Sequence, residues 1–254
     1  MYQSNKQVKC NMMNQWQGKK VAFLGDSITD KNHIGTKKNY WQFLEEFLGI
    51  KAFVYGLNGW KWDGVKEQAE ILYHELGNDI DAILIFMGTN DFDNGIPIGE
   101  WWNIQNEEVF SRGRTLTLPR RIFNTDVKTF RGRLNHGMSY LKDHFPEQQI
   151  ILLTPIHRGF ADFGGDNVQP EESFPNNSEL FPEIYIEQLR QASDIWSVPV
   201  IDLYRLSGLL PIRDAHSRYF HDEKTDRLHP NALGHRRIAQ TLMYQMLSLP
   251  AGFR

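Results

Sequence analysis

The stretch Lys20-Val21-Ala22-Phe23-Leu24-Gly25-Asp26-Ser27-Ile28-Thr29-Asp30 decides how the rest of the chain is read. Four consecutive apolar residues, with no polar residue between them, describe a strand buried on both faces. Gly25 allows a sharp turn at the carboxyl end of that strand, so the hydroxyl of Ser27 is carried to the rim of a sheet. In open α/β sheets that rim is where ligands bind.

Working outward, the same pattern recurs. Residues 20–24, 52–55, 82–87, 149–154 and 198–203 are short runs rich in Val, Ile, Leu or Phe, bounded by Gly, Pro, Asn or Asp. Amphipathic stretches separate them, over residues 39–48, 65–76, 125–143 and 180–193, and a last one spans 231–247, with Pro230 at its start. Continuous apolar strands alternating with helices predict an α/β fold, a single three-layer α/β/α domain around a five-stranded parallel, flavodoxin-like sheet. The expected organisation is a polar N-terminal tail over 1–18 and one domain over 19–254. Long loops interrupt it at about 92–124 and 158–177, and both follow the carboxyl end of a strand, so both are expected around the Ser27 site.

Bulk properties narrow the partners. A net charge of −3 gives no electrostatic reason to expect nucleic acid or an anionic membrane. No apolar run reaches the ~18 residues of a membrane span. The first 18 residues lack the apolar centre of a secretory signal, which leaves open a cytoplasmic protein or an exported one whose signal has been removed. The single cysteine, Cys10, excludes an intrachain disulfide framework and a CxxC zinc site, and reads as inert. With no HExxH, paired cysteines or GxGxxG, neither a metal nor an organic cofactor is expected.

A serine at a strand–helix junction is usually only an N-cap. The rest of the sequence argues for more. In Asp226-Arg227-Leu228-His229-Pro230, His229 is a base able to take a serine proton, and Asp226 is a carboxylate able to orient it. A solvated loop is the bland reading of that segment. Asp222 and Asp202 compete as the acid, and His221, His216 and His235 compete as the base; His235 falls inside the last helix. Oxyanion donors have candidates after the next two strands: Gly59 in Gly56-Leu57-Asn58-Gly59 and Asn90 in Gly88-Thr89-Asn90-Asp91. Each is also an ordinary turn residue. Gly59 and Asn90 each follow a strand's carboxyl end, as Ser27 does, and so are able to converge on one crevice, while His229 and Asp226 are expected in a loop leading into the last helix.

Taken together, Gly25-Asp26-Ser27, Gly56-Leu57-Asn58-Gly59, Gly88-Thr89-Asn90-Asp91 and Asp226-Arg227-Leu228-His229-Pro230 resemble, in order and over about residues 19 to 248, the sequence blocks of the SGNH (GDSL-type esterase/lipase) hydrolases. The resemblance implies catalytic Ser27, His229 and Asp226. It further implies an oxyanion hole formed by the Ser27 and Gly59 N–H groups and the Asn90 side chain. Gly56 is the alternative to Gly59, and Ile28 and Val54 depart from the common pattern. It also implies a serine esterase working through an acyl-enzyme on a small-molecule or carbohydrate ester.

Trp60, Trp101 and Trp102, with Trp62, are candidates for stacking on sugars, against a plain packing role. Short acyl esters, acetyl esters on carbohydrate among them, are the expected substrates. The alternatives are a lipase, lysophospholipase or thioesterase of the same family, a non-catalytic glycan-binding protein on this fold, and a flavodoxin-like nucleotide binder. Against the last, the loop from Gly25 to Asp30 carries two carboxylates, which would repel phosphate. Neither carboxylate is expected to be catalytic: Asp26 braces the turn beneath Ser27, and Asp30 sits in the first turn of the following helix.

Overall fold

The computed structural model describes residues 14–253. Cys10 and most of the expected tail lie outside them. The chain runs through β1 (Lys20–Gly25), α1 (Tyr40–Leu48), β2 (Lys51–Val54), α2 (Val65–Leu76), β3 (Ala82–Phe86), α3 (Thr89–Asp93), β4 (Trp102–Ser111), β5 (Arg114–Phe123), α4 (Phe130–His144) and β6 (Gln149–Leu153). It continues with β7 (Ala161–Asp162), β8 (Val168–Gln169), α5 (Pro182–Trp196), β9 (Val200–Ile201), α6 (Leu203–Leu206), β10 (Phe220–Asp222), β11 (Asp226–Pro230) and α7 (Ala232–Met246).

Five strands form one all-parallel sheet in the order β2-β1-β3-β6-β9, the flavodoxin-like order expected. Alternation within β1 divides its apolar residues between two cores. Ala22 and Leu24 face α2, α4 and α5, whereas Val21 and Phe23 face α1 and α7. Both faces are thus sealed, which is why the strands read as unbroken apolar runs.

Trp16, inside the expected tail, is fully buried, and its indole donates to the Met246 carbonyl at 2.7 Å. Residues 14–18 are therefore tied to the end of α7. The fifth strand is shorter than the apolar run suggests. Asp202 accepts the Arg205 N–H at 3.2 Å, capping α6 and ending β9 at Ile201.

The two expected loops both contain strands. Residues 102–123 form an antiparallel hairpin of two ten-residue strands, turned at Arg112 and Gly113, both with positive φ. It is anchored only at its base, where Phe123 stacks on Trp102 at 4.5 Å and on Trp196 at 4.1 Å. Beyond the base, Ile104 and Phe110 are largely exposed. Trp196 is the last residue of α5, and the Trp101 and Asn124 carbonyls accept from the Asn135 amide on α4. The hairpin is thus rooted on a helical face of the sheet, and among the described residues no hydrogen bond or ring contact joins it to Ser27 or His229. The expectation that it surrounds the site is corrected.

Residues 158–177, by contrast, do reach the site. Within them β7 and β8 join β10 and β11 in a small antiparallel sheet of order β10-β11-β7-β8.

Because the body of the hairpin buries little, its removal is expected to leave the rest of the fold intact. Replacing residues 104–121 by Asn-Gly, so that Asn103 and Ile122 flank a two-residue turn, should shift the melting temperature by only about 2 °C. A thermal melt followed by far-UV circular dichroism measures this.

Candidate active site

The order β2-β1-β3 reverses about β1, so the segments leaving β1, β2 and β3 meet in one crevice at their carboxyl ends. Ser27 leaves β1 in a tight turn. The Asp26 side chain accepts the Ile28 N–H at 3.1 Å and its carbonyl accepts from Thr29 and Asp30. The turn leaves no space at Gly25, where a Cβ would lie 2.7 Å from the Phe86 carbonyl oxygen and against the Thr29 side chain. Asp26 thus braces the turn, as expected. Asp30 does not lie in a first helical turn, because α1 begins only at Tyr40. Its carboxylate accepts the Asn32 and Asn58 N–H groups, both at 2.8 Å, and so ties the first loop to the second.

Asp226 opens β11 and His229 is its penultimate residue, so both lie on a strand and not in the loop expected. The strand forms because its neighbours hold it. Phe220 pairs with Pro230 on one side, Ala161 pairs with Asp226 on the other, and Asp222 turns the chain by accepting the Lys224 and Thr225 N–H groups. One oxygen of Asp226 accepts the Leu228 and His229 N–H groups at 3.1 and 3.0 Å. The other lies 3.0 Å from His229 Nδ1. His229 Nε2 lies 3.0 Å from Ser27 Oγ, 202 residues away in sequence. A carboxylate only accepts, so Nδ1 carries the ring proton and Nε2 is left to accept from the serine hydroxyl. Ser27, Asp226 and His229 are 7%, 5% and 5% exposed, which holds water away from the three while leaving Ser27 reachable.

Burial opposes ionisation of Asp226. The hydrogen bond and charge of His229, with the two backbone N–H groups, outweigh it and hold the carboxyl below its usual range. Asp26 behaves oppositely: full burial pushes it up to about 7, with the Ile28 N–H and the His229 charge acting against the rise.

The other candidate acids and bases are occupied elsewhere. Asp202 caps α6 and pairs with Arg190 at 2.9 Å. His216 accepts the Leu210 N–H, His221 bonds the Gly35 carbonyl, and His235 is buried in α7 and stacked on Tyr40. Asp222 serves the turn before β11.

Candidate donors come from the turn at Ser27 and from the segments after β2 and β3. Gly59 has φ +78°, and nothing lies within 4 Å of where a Cβ would be. No group among the described residues accepts from its N–H or from that of Ser27. Gly56 is closed off: Tyr55 and Leu57 donate to β1, so the intervening N–H points away from it, and a Cβ on Gly56 would meet Thr29 at 2.6 Å. Asn90 Nδ2 donates to the Trp60 carbonyl at 2.9 Å, which fixes the amide while leaving its second hydrogen unused.

One part of the framework went unread in the sequence. Asp91, fully buried, accepts the Trp62 N–H at 3.0 Å and pairs with Arg133 at 2.8 Å, while Arg133 also holds Asp63 at 3.0 Å. Burial raises Asp91 to about 6 in spite of Arg133. This network locks the second loop to the third. Asp91 follows Asn90 directly, but no spacing rule links it to an arginine 42 residues later.

The tryptophans divide. Trp60 is half-buried next to Gly59, its ring packed over Gly64. Trp62 is core, bonded through its indole to the Met87 carbonyl at 3.1 Å. Trp101 is buried with its indole on Gln191, and Trp102 is stacked on Phe123 under Arg121. These two anchor the hairpin, and the reading of them as sugar-binding residues is corrected. Gly35, in the loop after Asp30, presses on His229 from behind, and beyond it lies a cavity of about 420 Å³ lined by His33, Thr36, Lys37, His221 and residues 231–233.

The profile of the GDSL-like Lipase/Acylhydrolase family matches residues 23–237, and the chain belongs to that family. It is therefore a serine hydrolase acting on ester bonds. Among solved structures, a protein from Lactobacillus plantarum is 26% identical at a TM-score of 0.70, covering 91% of this chain and 98% of its own. A possible lipase from Chitinophaga pinensis is 21% identical at 0.67, with 90% and 98% covered. A catalytic mutant of an acetylxylan esterase from Geobacillus stearothermophilus is 17% identical at 0.53, with 95% and 98% covered. No curated protein matches. Among the described residues no helix is long and apolar enough to cross a membrane.

Two outcomes are expected from this geometry. In Gly35→Ala, a left-handed φ of +70° and a Cβ 2.7 Å from that of His229 must displace one of the two. Ester hydrolysis should fall on the order of 10- to 100-fold in kcat with KM little changed, as steady-state kinetics would show. For Asp26, the raised value in the fold means that its stabilising contribution is complete below about 4 and lost as pH climbs through about 7. Asp26→Asn keeps the acceptor for Ile28 and avoids that loss. Its melting temperature should gain on the parent as pH rises from 4 to 8, with no further gain above 8.

Proposed function

We propose that Ser27 is the nucleophile, His229 the general base and Asp226 its orienting acid, with the Ser27 N–H, the Gly59 N–H and the Asn90 amide as oxyanion donors. The observation that carries this is the unbroken chain Ser27 Oγ, His229 Nε2, His229 Nδ1, Asp226 Oδ2, with 3.0 Å at both hydrogen bonds.

In the first step, Ser27 Oγ forms a bond to the ester carbonyl carbon as its proton passes to His229 Nε2. The three donors hold the resulting oxyanion, and Asp226 stabilises the imidazolium. Collapse breaks the bond to the alcohol oxygen, which leaves with the proton from Nε2. Water then attacks the acyl-enzyme by the same route in reverse, releasing the acid and restoring Ser27.

The substrate class proposed is a short acyl ester, an acetyl ester of a carbohydrate in particular. The acetylxylan esterase from Geobacillus stearothermophilus shares the fold, and a second acetyl xylan esterase aligns over 89% of this chain. Trp60, beside Gly59, is retained as a residue that contacts substrate.

Ser27→Ala should abolish hydrolysis of p-nitrophenyl acetate and labelling by a fluorophosphonate probe. Asn90→Ala, which removes one donor, should retain activity about 100- to 1,000-fold below the parent. Parent-level turnover by Ser27→Ala would end the assignment. Across p-nitrophenyl acetate, butyrate and palmitate, kcat/KM should fall with chain length, and a preference for palmitate would contradict the short-acyl reading.

A further inference from the structure

Phe163 is one of several large apolar side chains left exposed, and it is set apart by a ring contact with His229. It follows β7, and the segment around β7 is bonded residue by residue to the strand carrying Asp226 and His229. The Gly159 N–H donates to the Arg227 carbonyl at 3.0 Å, the Arg227 N–H to Phe160 at 2.9 Å, and the Asp162 N–H to Thr225 at 2.8 Å. Immediately beyond, the chain reverses. Phe163 N–H donates to the Asn167 carbonyl at 3.0 Å, Gly164 N–H to the Asp162 carboxylate at 2.9 Å, and both Gly164 and Gly165 have positive φ. The backbone of Phe163 is thus fixed relative to β11, yet its side chain is 42% exposed. Its one ring contact among the described residues is His229, centroid to centroid 5.4 Å with the planes at 54°. An apolar ring held in water beside an imidazole gains little for the fold, since most of its area stays wet.

Reaction geometry says what lies on that side. His229 Nε2 must return its proton to the alcohol oxygen, so the alcohol half of the ester lies within hydrogen-bond reach of Nε2 when the C–O bond breaks. A ring flanking the imidazole therefore flanks the leaving group, not the acyl group, which extends from the carbonyl carbon held between Ser27 and the oxyanion donors. The geometry points to Phe163 as the platform of a leaving-group subsite that takes the C–H face of a pyranose ring. This inference rests on the triad and substrate class proposed above and adds the residue that recognises the sugar. A phenyl face suits the C–H face of a sugar ring and gives a short acyclic alcohol little to stack on. Phe163 contacts substrate without taking part in proton transfer.

The test uses two acetate esters with the same acyl group: methyl 2-O-acetyl-β-xylopyranoside, whose leaving group is a ring, and ethyl acetate, whose leaving group is too small to reach Phe163. Steady-state kinetics of the parent, Phe163→Ala and Phe163→Trp are compared, with Ser27→Ala as the control. Phe163→Ala should lose about tenfold in kcat/KM on the xyloside, mostly in KM, and stay within about twofold of the parent on ethyl acetate. Phe163→Trp should restore the xyloside activity. Equal losses on both substrates would mean that the ring only props His229, and no loss on the xyloside would mean that it touches nothing; either overturns the subsite. A parent that cleaves ethyl acetate but not the xyloside also overturns it while leaving the serine chemistry standing. A parent matched by Ser27→Ala on both esters would instead overturn the underlying mechanism.

Discussion

The structure turns on how Asp226 is buried as an anion. A carboxylate taken out of water must have its lone pairs satisfied, or it takes up a proton. Here the strand curls so that one oxygen receives two N–H groups of the following residues and the other receives the imidazole. The same curl orients His229, because its own backbone N–H is one of the two donors. Asp226 thus fixes both the backbone and the side chain of the residue it serves, within a span of four residues. What it cannot fix is where β11 sits, and that depends on β10 and β7 on either side.

Around this element the molecule fastens three loops to one another. The Asp30 carboxylate reaches the Asn58 N–H, the Asn90 amide reaches the Trp60 carbonyl, and Asp91 reaches the Trp62 N–H. Each bond joins segments that follow different strands of the same sheet, so the loops hold together as a unit over the strand ends. Behind them, Arg133 neutralises Asp91 inside the protein. Breaking such a buried pair costs about 3–5 kcal/mol, because the remaining charge is stranded. Rigidity of this kind is what an oxyanion site needs, since its donors must already point at the charge before it forms.

The candidate site was largely legible in advance because its chemistry depends on residue types at strand ends, and strand ends are marked by Gly, Asn and Asp in the sequence. Ser27, Gly59 and Asn90 were read in that way, whereas Asp226 and His229 were read from a carboxylate three residues before a histidine in an expected loop. The hairpin was not. Its strands carry Asn103, Gln105, Glu107, Glu108, Arg120 and Arg121, so no buried face betrays a period of two. The available signal was Thr115-Leu116-Thr117-Leu118 next to Gly113, an alternation beside a turn glycine. Trp101 and Trp102 were misjudged with it, because an aromatic at the foot of a hairpin and one lining a cleft look alike in one dimension.

What the amino-acid sequence determined by itself is the local and the periodic: five apolar strands, the helices between them, the turn that lifts the Ser27 hydroxyl, and a histidine with a carboxylate three residues away. These follow from side-chain period, backbone freedom and capping, which act within a few residues. Tertiary structure alone decided the pairings over long separations. It placed Ala161 beside Asp226, His229 against Ser27 across 202 residues, Arg133 on Asp91, and Phe163 over the imidazole while Trp101 went to the core. Those contacts depend on which surfaces are buried together, and burial is a property of the whole packed chain.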